Sequence, residues 1–140
     1  MTVETAFDHA GIATDDAAAL AEQYTAVLGC ELAHEETFDG MAVVFLDFGN
    51  SYMELLEPLE DGPVARYLDE HGPGIHHLAV ATDDIERALA RAREHGVDLV
   101  DTGPREGAWG HRVAFLHPNS TGGVLLEFVE KDLRSGHGDA

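Results

Sequence analysis

A single cysteine, Cys30, and a single lysine, Lys131, stand in a chain of 140 residues. The lone thiol excludes an internal disulfide and fits a reducing compartment such as the cytoplasm. Basic side chains are few altogether: 8 Lys and Arg face 27 Asp and Glu, for a net charge of −19. Such a balance argues against duplex nucleic acid as a partner, because affinity there comes from Lys and Arg set against phosphates. No apolar run nears the roughly 18 residues of a membrane helix, so no membrane span is expected. The first residues lack a basic segment followed by an apolar core, so no signal peptide is expected either. No Ser-His-Asp set is recognisable. Gly122-Gly123 reads as a turn and not a phosphate loop, since no helix follows it.

What is present is ordinary in amount and unusual in arrangement. Apolar residues make up 44% of the chain, enough for one hydrophobic core. The length suits one domain, expected over residues 1–131, with 132–140 as a flexible tail. The acids are spread through every segment. They read as a solvated surface tuned to a salty cytoplasm rather than a docking face for a basic partner.

The arrangement is a repeat. Phe7-Asp8-His9-Ala10-Gly11-Ile12-Ala13-Thr14-Asp15-Asp16 aligns without gaps with Ile75-His76-His77-Leu78-Ala79-Val80-Ala81-Thr82-Asp83-Asp84. His9 falls on His77. Further on, residues 40–46 match residues 110–116, and residues 53–57 match 126–130, which sets Glu54 on Glu127. Two copies of one supersecondary unit are expected, about 6–60 and 74–130.

Each copy reads as β-α-β-β-β. Residues 6–13 and 75–81 are strands. Thr14 or Asp15, and Thr82 or Asp83, are expected to cap the following helices. The first helix runs to about Leu28, with Leu20, Tyr24, Val27 and Leu28 as its apolar stripe and Gly29 as its stop. The second runs to about His95, with Ile85, Leu89 and Ala92 inward. Residues 30–37, 41–48 and 51–57 are the remaining strands of the first unit. Residues 97–101, 111–117 and 124–130 are those of the second, with 102–110 a loop. Pro63 opens a short helix in the connector. The fold class expected is α+β, a cupped mixed sheet of tandem βαβββ units around a metal site.

Strand alternation fixes which residues share a face. With the last strand of each unit beside its first, each unit offers one His and one Glu on a common face. His9, Glu54, His77 and Glu127 then form a His₂Glu₂ set. Imidazole nitrogen with carboxylate oxygen suits one divalent metal ion per chain. The donors do not distinguish Co, Mn, Zn, Ni or Mg. His77 is chosen over His76 because it aligns with His9. Glu57 and Glu130 lie on the opposite face and read as solvated. Cys30 reads as a packing residue, and His111 and His117 as solvated at a strand edge.

These units and ligands resemble the vicinal oxygen chelate superfamily, which includes glyoxalase I and the extradiol dioxygenases. The similarity is greatest to its methylmalonyl-CoA epimerase family. It runs from about Phe7 to Glu130, and is most specific in residues 54–59 (ELLEPL), 74–77 (GIHH), 115–118 (FLHP) and 122–127 (GGVLLE). The resemblance implies that His9, Glu54, His77 and Glu127 hold the metal and that the substrate is a small CoA thioester. It implies inversion of C2 through a metal-stabilised enolate, Glu127 as one proton-transfer group, and a homodimer. A glyoxalase I-type lactoylglutathione lyase and a metal-free binding module of the same fold are the rival expectations. There is one departure. Part of the family carries a second acid/base Glu where Val43 stands here. Asp47 shares that strand face but lies some 13 Å along it.

Overall fold

Thr14-Asp15-Asp16 and Thr82-Asp83-Asp84 turn the chain from strand into helix in the same way twice. In the computed structural model, which describes residues 3–133, Thr14 Oγ1 accepts the Asp16 N–H (3.2 Å) and Asp16 Oδ1 accepts that of Ala19 (3.0 Å). Thr82 Oγ1 likewise accepts from Asp84 (3.3 Å), and Asp84 Oδ1 from Arg87 (3.1 Å). The caps are therefore Asp16 and Asp84, one or two residues later than expected. The Thr hydroxyl folds back on the second Asp and sets it, not the first, under the open N–H groups.

The elements are β1 (Thr5–Ala13), α1 (Ala17–Leu28), β2 (Glu31–Phe38), β3 (Met41–Asp47), β4 (Tyr52–Pro58), α2 (Pro63–His71), β5 (Gly74–Thr82), α3 (Ile85–Glu94), β6 (Arg105–Glu106), β7 (Arg112–Leu116) and β8 (Leu126–Glu130). The chain divides into two compact units, His9–His76 and, among the described residues, 3–8 with 77–133. Of the tail expected over 132–140, residues 134–140 lie outside the described residues.

In the first unit the strand order is β2-β3-β4-β1. β2–β3 and β3–β4 are antiparallel, and β4–β1 is parallel. Asp39 (φ 50°) and Gly40 (φ 74°) make the β2–β3 turn. Both are left-handed, as a two-residue hairpin of this twist requires. One face of the sheet carries Ile12, Val44, Leu46 and Leu55, packed against Ala17, Leu20, Ala21 and Tyr24 of α1, with Cys30 buried among them. Val27 and Leu28 are exposed, so the stripe expected of α1 ends at Tyr24.

The second unit repeats the pattern as β5-β8-β7-β6, with β5–β8 parallel and the other pairs antiparallel. Its helix face joins Ile85, Leu89 and Ala92 to Ala114 and Leu116. One strand departs from expectation. Residues 97–101 form only an isolated bridge, Leu99 to Leu116, and the strand beside β7 is Arg105–Glu106, within the stretch read as a loop. Gly103-Pro104 interrupts what would otherwise be one continuous strand, since Pro has no N–H for the ladder.

Glu57 and Glu130 correct a second expectation. Glu57 Oε1 accepts the Ala17 N–H (2.8 Å), and Glu130 Oε2 that of Ile85 (3.0 Å). They are not merely solvated: each carboxylate closes the N-terminus of its unit's helix, where the helix dipole favours negative charge.

Candidate metal centre

Parallel pairing of the first and last strands positions both His–Glu pairs. In the first unit Gly11 lies beside Glu54 and His9 beside Tyr52. His9 and Glu54 thus stand one diagonal step apart on the sheet face away from α1, with Nε2 3.2 Å from Oε1. In the second unit Ala79 lies beside Glu127. That sets His77, two residues before Ala79, on the same diagonal, and its Nε2 is again 3.2 Å from Glu127 Oε1. All four are buried, at 3% to 7% exposure.

A phenylalanine supports each pair. Phe45 is the β3 partner of Glu54, and Phe115 the β7 partner of Glu127. Their rings meet His9 and His77 edge-on, at 5.7 and 5.5 Å between centroids. Each imidazole is thereby held in orientation by an apolar wall beside its carboxylate. These residues were not singled out from the sequence, although the repeat alignment already places Phe45 on Phe115.

Burying a carboxylate is costly unless something compensates its charge. Here the same buried His–Glu pair is built twice. Two imidazoles and two carboxylates are a donor set that could hold a divalent ion. The residues present therefore fit the group that the sequence implies.

The remaining candidates go elsewhere. His76 faces away from its neighbour His77, its ring 5.1 Å from that of Tyr67. His117 Nδ1 accepts the Asn119 N–H (3.1 Å), and His111 lies 6.1 Å from the Trp109 ring. Val43 is fully buried. A cavity of about 910 Å³ in the second unit, lined by Arg87, Arg91, His95 and Phe128 among others, touches none of the four ligand candidates. Glu4 reaches Arg87 and Arg91 there. The hydrogen bond from Arg91 does most to hold the Glu4 carboxyl below its ordinary range; burial opposes it, and the charges of Arg91 and Arg87 add to it.

Residues 8–115 match the Glyoxalase/Bleomycin resistance protein/Dioxygenase superfamily. The chain is 38% identical over 128 residues to the ethylmalonyl-CoA/methylmalonyl-CoA epimerase of Cereibacter sphaeroides, covering 88% of this chain and 96% of that one. It resembles the crystal structure of methylmalonyl-CoA epimerase from Mycobacterium tuberculosis, with a TM-score of 0.86 and 36% identity over 92% of this chain and 89% of the other. A methylmalonyl-CoA epimerase in complex with methylmalonyl-CoA and NH4+ matches with a TM-score of 0.86 and 37% identity, over 94% and 97% of the two chains.

Proposed function

The chain belongs to the Glyoxalase/Bleomycin resistance protein/Dioxygenase superfamily and, within it, with the methylmalonyl-CoA epimerases, and from that premise we propose that it inverts C2 of methylmalonyl-CoA using one divalent metal ion. The observation that carries this reading is the duplicated buried pair, His9 with Glu54 and His77 with Glu127, each at 3.2 Å. His9, Glu54, His77 and Glu127 would hold the ion. When bound, it supplies Lewis-acid stabilisation of the negative charge that grows on the thioester oxygen as C2 loses its proton.

The chain's own side chains do the rest. Phe45 and Phe115 help keep the two imidazoles in place through edge-on ring contacts. Glu127 takes the C2 proton on one side of the substrate, and an acid returns a proton on the other. Exposed Phe7 and Ile75, equivalent in the repeat, are apolar surface that a homodimer would use. The single cysteine, Cys30, suits a cytoplasmic setting. Among the described residues no helix is long and apolar enough to cross a membrane.

The test is exchange of the C2 proton of methylmalonyl-CoA in deuterated water, run with metal content measured by elemental analysis. Wild type should exchange and epimerise with one ion per chain. The His9→Ala/His77→Ala double variant should lose both ion and exchange. Full metal content in that variant after dialysis would rule the ligand set out.

A further inference from the structure

A CoA thioester brings phosphate groups, and a chain with 8 Lys and Arg against 27 Asp and Glu has few side chains to meet them. We infer, resting on the epimerase reading, that Arg105 docks a phosphate of the CoA moiety and that Asp101 positions it.

Register places Arg105 on the ligand face of its unit. It is the β6 partner of Val113 on β7. Val113 packs with Ala79 and Val129, and Phe115, two residues on, is the partner of Glu127. Residues opposite each other in a ladder share a face, and so do alternate residues along a strand. Arg105, Val113, Phe115 and Glu127 therefore lie on one side of the sheet. The Arg105 guanidinium carbon is 5.7 Å from the centroid of the Phe115 ring. The same ring meets the His77 imidazole, at 5.5 Å between centroids. One aromatic ring thus stands between Arg105 and the His77–Glu127 pair.

Asp101 holds both Arg105 and that ring. Its Oδ1 accepts from Arg105 Nε (3.1 Å), and its Oδ2 accepts the Phe115 N–H (3.0 Å). The Val100 N–H donates to the Phe115 carbonyl (2.9 Å), which ties the same stretch to β7. The guanidinium is thus fixed at Nε by a carboxylate and across its plane by a ring.

The other described cations of this unit are committed differently. Arg87 and Arg91 use a terminal nitrogen on Glu4, and Arg93 uses one on the Thr102 carbonyl. Arg112 uses both on Glu86 and Glu130, and Lys131 holds Asp8. Arg105 bonds its carboxylate through Nε. Its outer edge, with two parallel N–H groups, is the part that matches two oxygens of a phosphate. The side chain is 47% exposed, so a substrate group can reach that edge. Asp101 opposes an incoming phosphate little, because both its oxygens already accept hydrogen bonds.

Reach agrees with this placement. The pantetheine arm has about 13 bonds from sulfur to the first phosphorus, about four residues' worth of chain, and spans up to ~15 Å when extended. One ring and its two contacts fall within that span. A thioester held at the His77–Glu127 pair can lay its diphosphate on Arg105.

The test compares methylmalonyl-CoA with methylmalonyl-pantetheine, which lacks every phosphate, on metal-loaded wild type and Arg105→Met. Methionine keeps an unbranched apolar stem beside Phe115 and removes the fork. With the CoA thioester, KM should rise roughly tenfold to a hundredfold, the worth of charged hydrogen bonds, while kcat holds. With the pantetheine thioester, neither constant should change. Asp101→Asn keeps an acceptor for the Phe115 N–H and should raise KM more mildly, again for the CoA thioester alone. A dephospho-CoA thioester tells the phosphates apart. Behaviour like CoA assigns the diphosphate to Arg105, and behaviour like pantetheine assigns the 3′-phosphate. An unchanged KM for the CoA thioester in Arg105→Met would overturn the inference. Equal losses on both thioesters would overturn it as well, since Arg105 would then act through Phe115 and His77. In wild type alone, equal KM values for the two thioesters would show that no phosphate is docked. A wild-type protein that epimerises neither would instead overturn the epimerase reading, and this inference with it.

Discussion

Glu54 and Glu127 match each other in three respects. Each is buried, each lies 3.2 Å from an imidazole nitrogen, and each has a phenylalanine as its cross-strand partner. Their roles must still differ if only one moves a proton, and the family resemblance assigns that role to Glu127. A carboxylate that binds a metal through one oxygen keeps the other for a proton. Changing Glu to Gln preserves shape and one ligand oxygen but removes most of the basicity. Glu127→Gln should therefore retain much of its metal and lose C2 exchange by roughly a hundredfold or more. Glu54→Gln should be milder, because glutamine at that position resembles a variant the family tolerates. Deuterium exchange per bound metal compares the two directly. Fast exchange in Glu127→Gln with slow exchange in Glu54→Gln would mean that the two halves have been assigned the wrong way round.

Among the elements, the helix starts show both what a repeat reveals and what it hides. α1 and α3 are each closed by two carboxylates, one from the helix's own cap and one from the end of its unit's last strand: Asp16 with Glu57, and Asp84 with Glu130. Removing either acceptor leaves an N–H open, so Asp16→Ala and Glu57→Ala should each cost about 0.5–2 kcal/mol. The two bond different N–H groups, so the double variant should lose close to the sum. Urea unfolding measures this, and a neutral Glu57→Ala would return that residue to the solvent. The repeat exposed the strand order and the ligand diagonal, because gapless matches carried period-2 alternation with them. It hid the caps by a residue or two, since three capping residues in a row compete for one place. It also hid the register shift of β2 between Leu32 and His34: residues 30–37 are polar on both sides, so no alternation marks which side chains face which side of the sheet. The split of the second unit's edge strand was concealed in the same way, by a Gly-Pro step whose effect depends on which neighbour it pairs with.

For the molecule as a whole, charge sets the conditions of stability. The described cations are largely engaged: Arg87 and Arg91 with Glu4, Arg105 with Asp101, Arg112 with Glu86 and Glu130, and Lys131 with Asp8. Glu86, by its hydrogen bond, contributes most to raising Arg112 above its ordinary value. Most of these pairs are exposed, and exposed pairs add little and weaken as salt rises. Against them stand 27 acids for 8 bases, at a net charge of −19. Folding brings those charges together, and unfolding lets them separate, so the excess repulsion acts against the compact state. Salt shortens its reach from about 30 Å at 0.01 M to about 3 Å at 1 M. The loss of a few surface pairs is small beside relief of that repulsion, so the melting temperature should rise steadily from low to molar potassium chloride. The measurement should be made on metal-free and metal-loaded protein alike. A bound cation would neutralise the carboxylates of Glu54 and Glu127, while salt acts on all the others. Metal should therefore raise the melting temperature at every salt concentration, while the slope with salt stays nearly the same. A melting temperature that is flat or falls with salt would mean that the surface pairs outweigh the net repulsion. A slope abolished by metal would mean that the repulsion is concentrated at the ligands instead of spread over the surface.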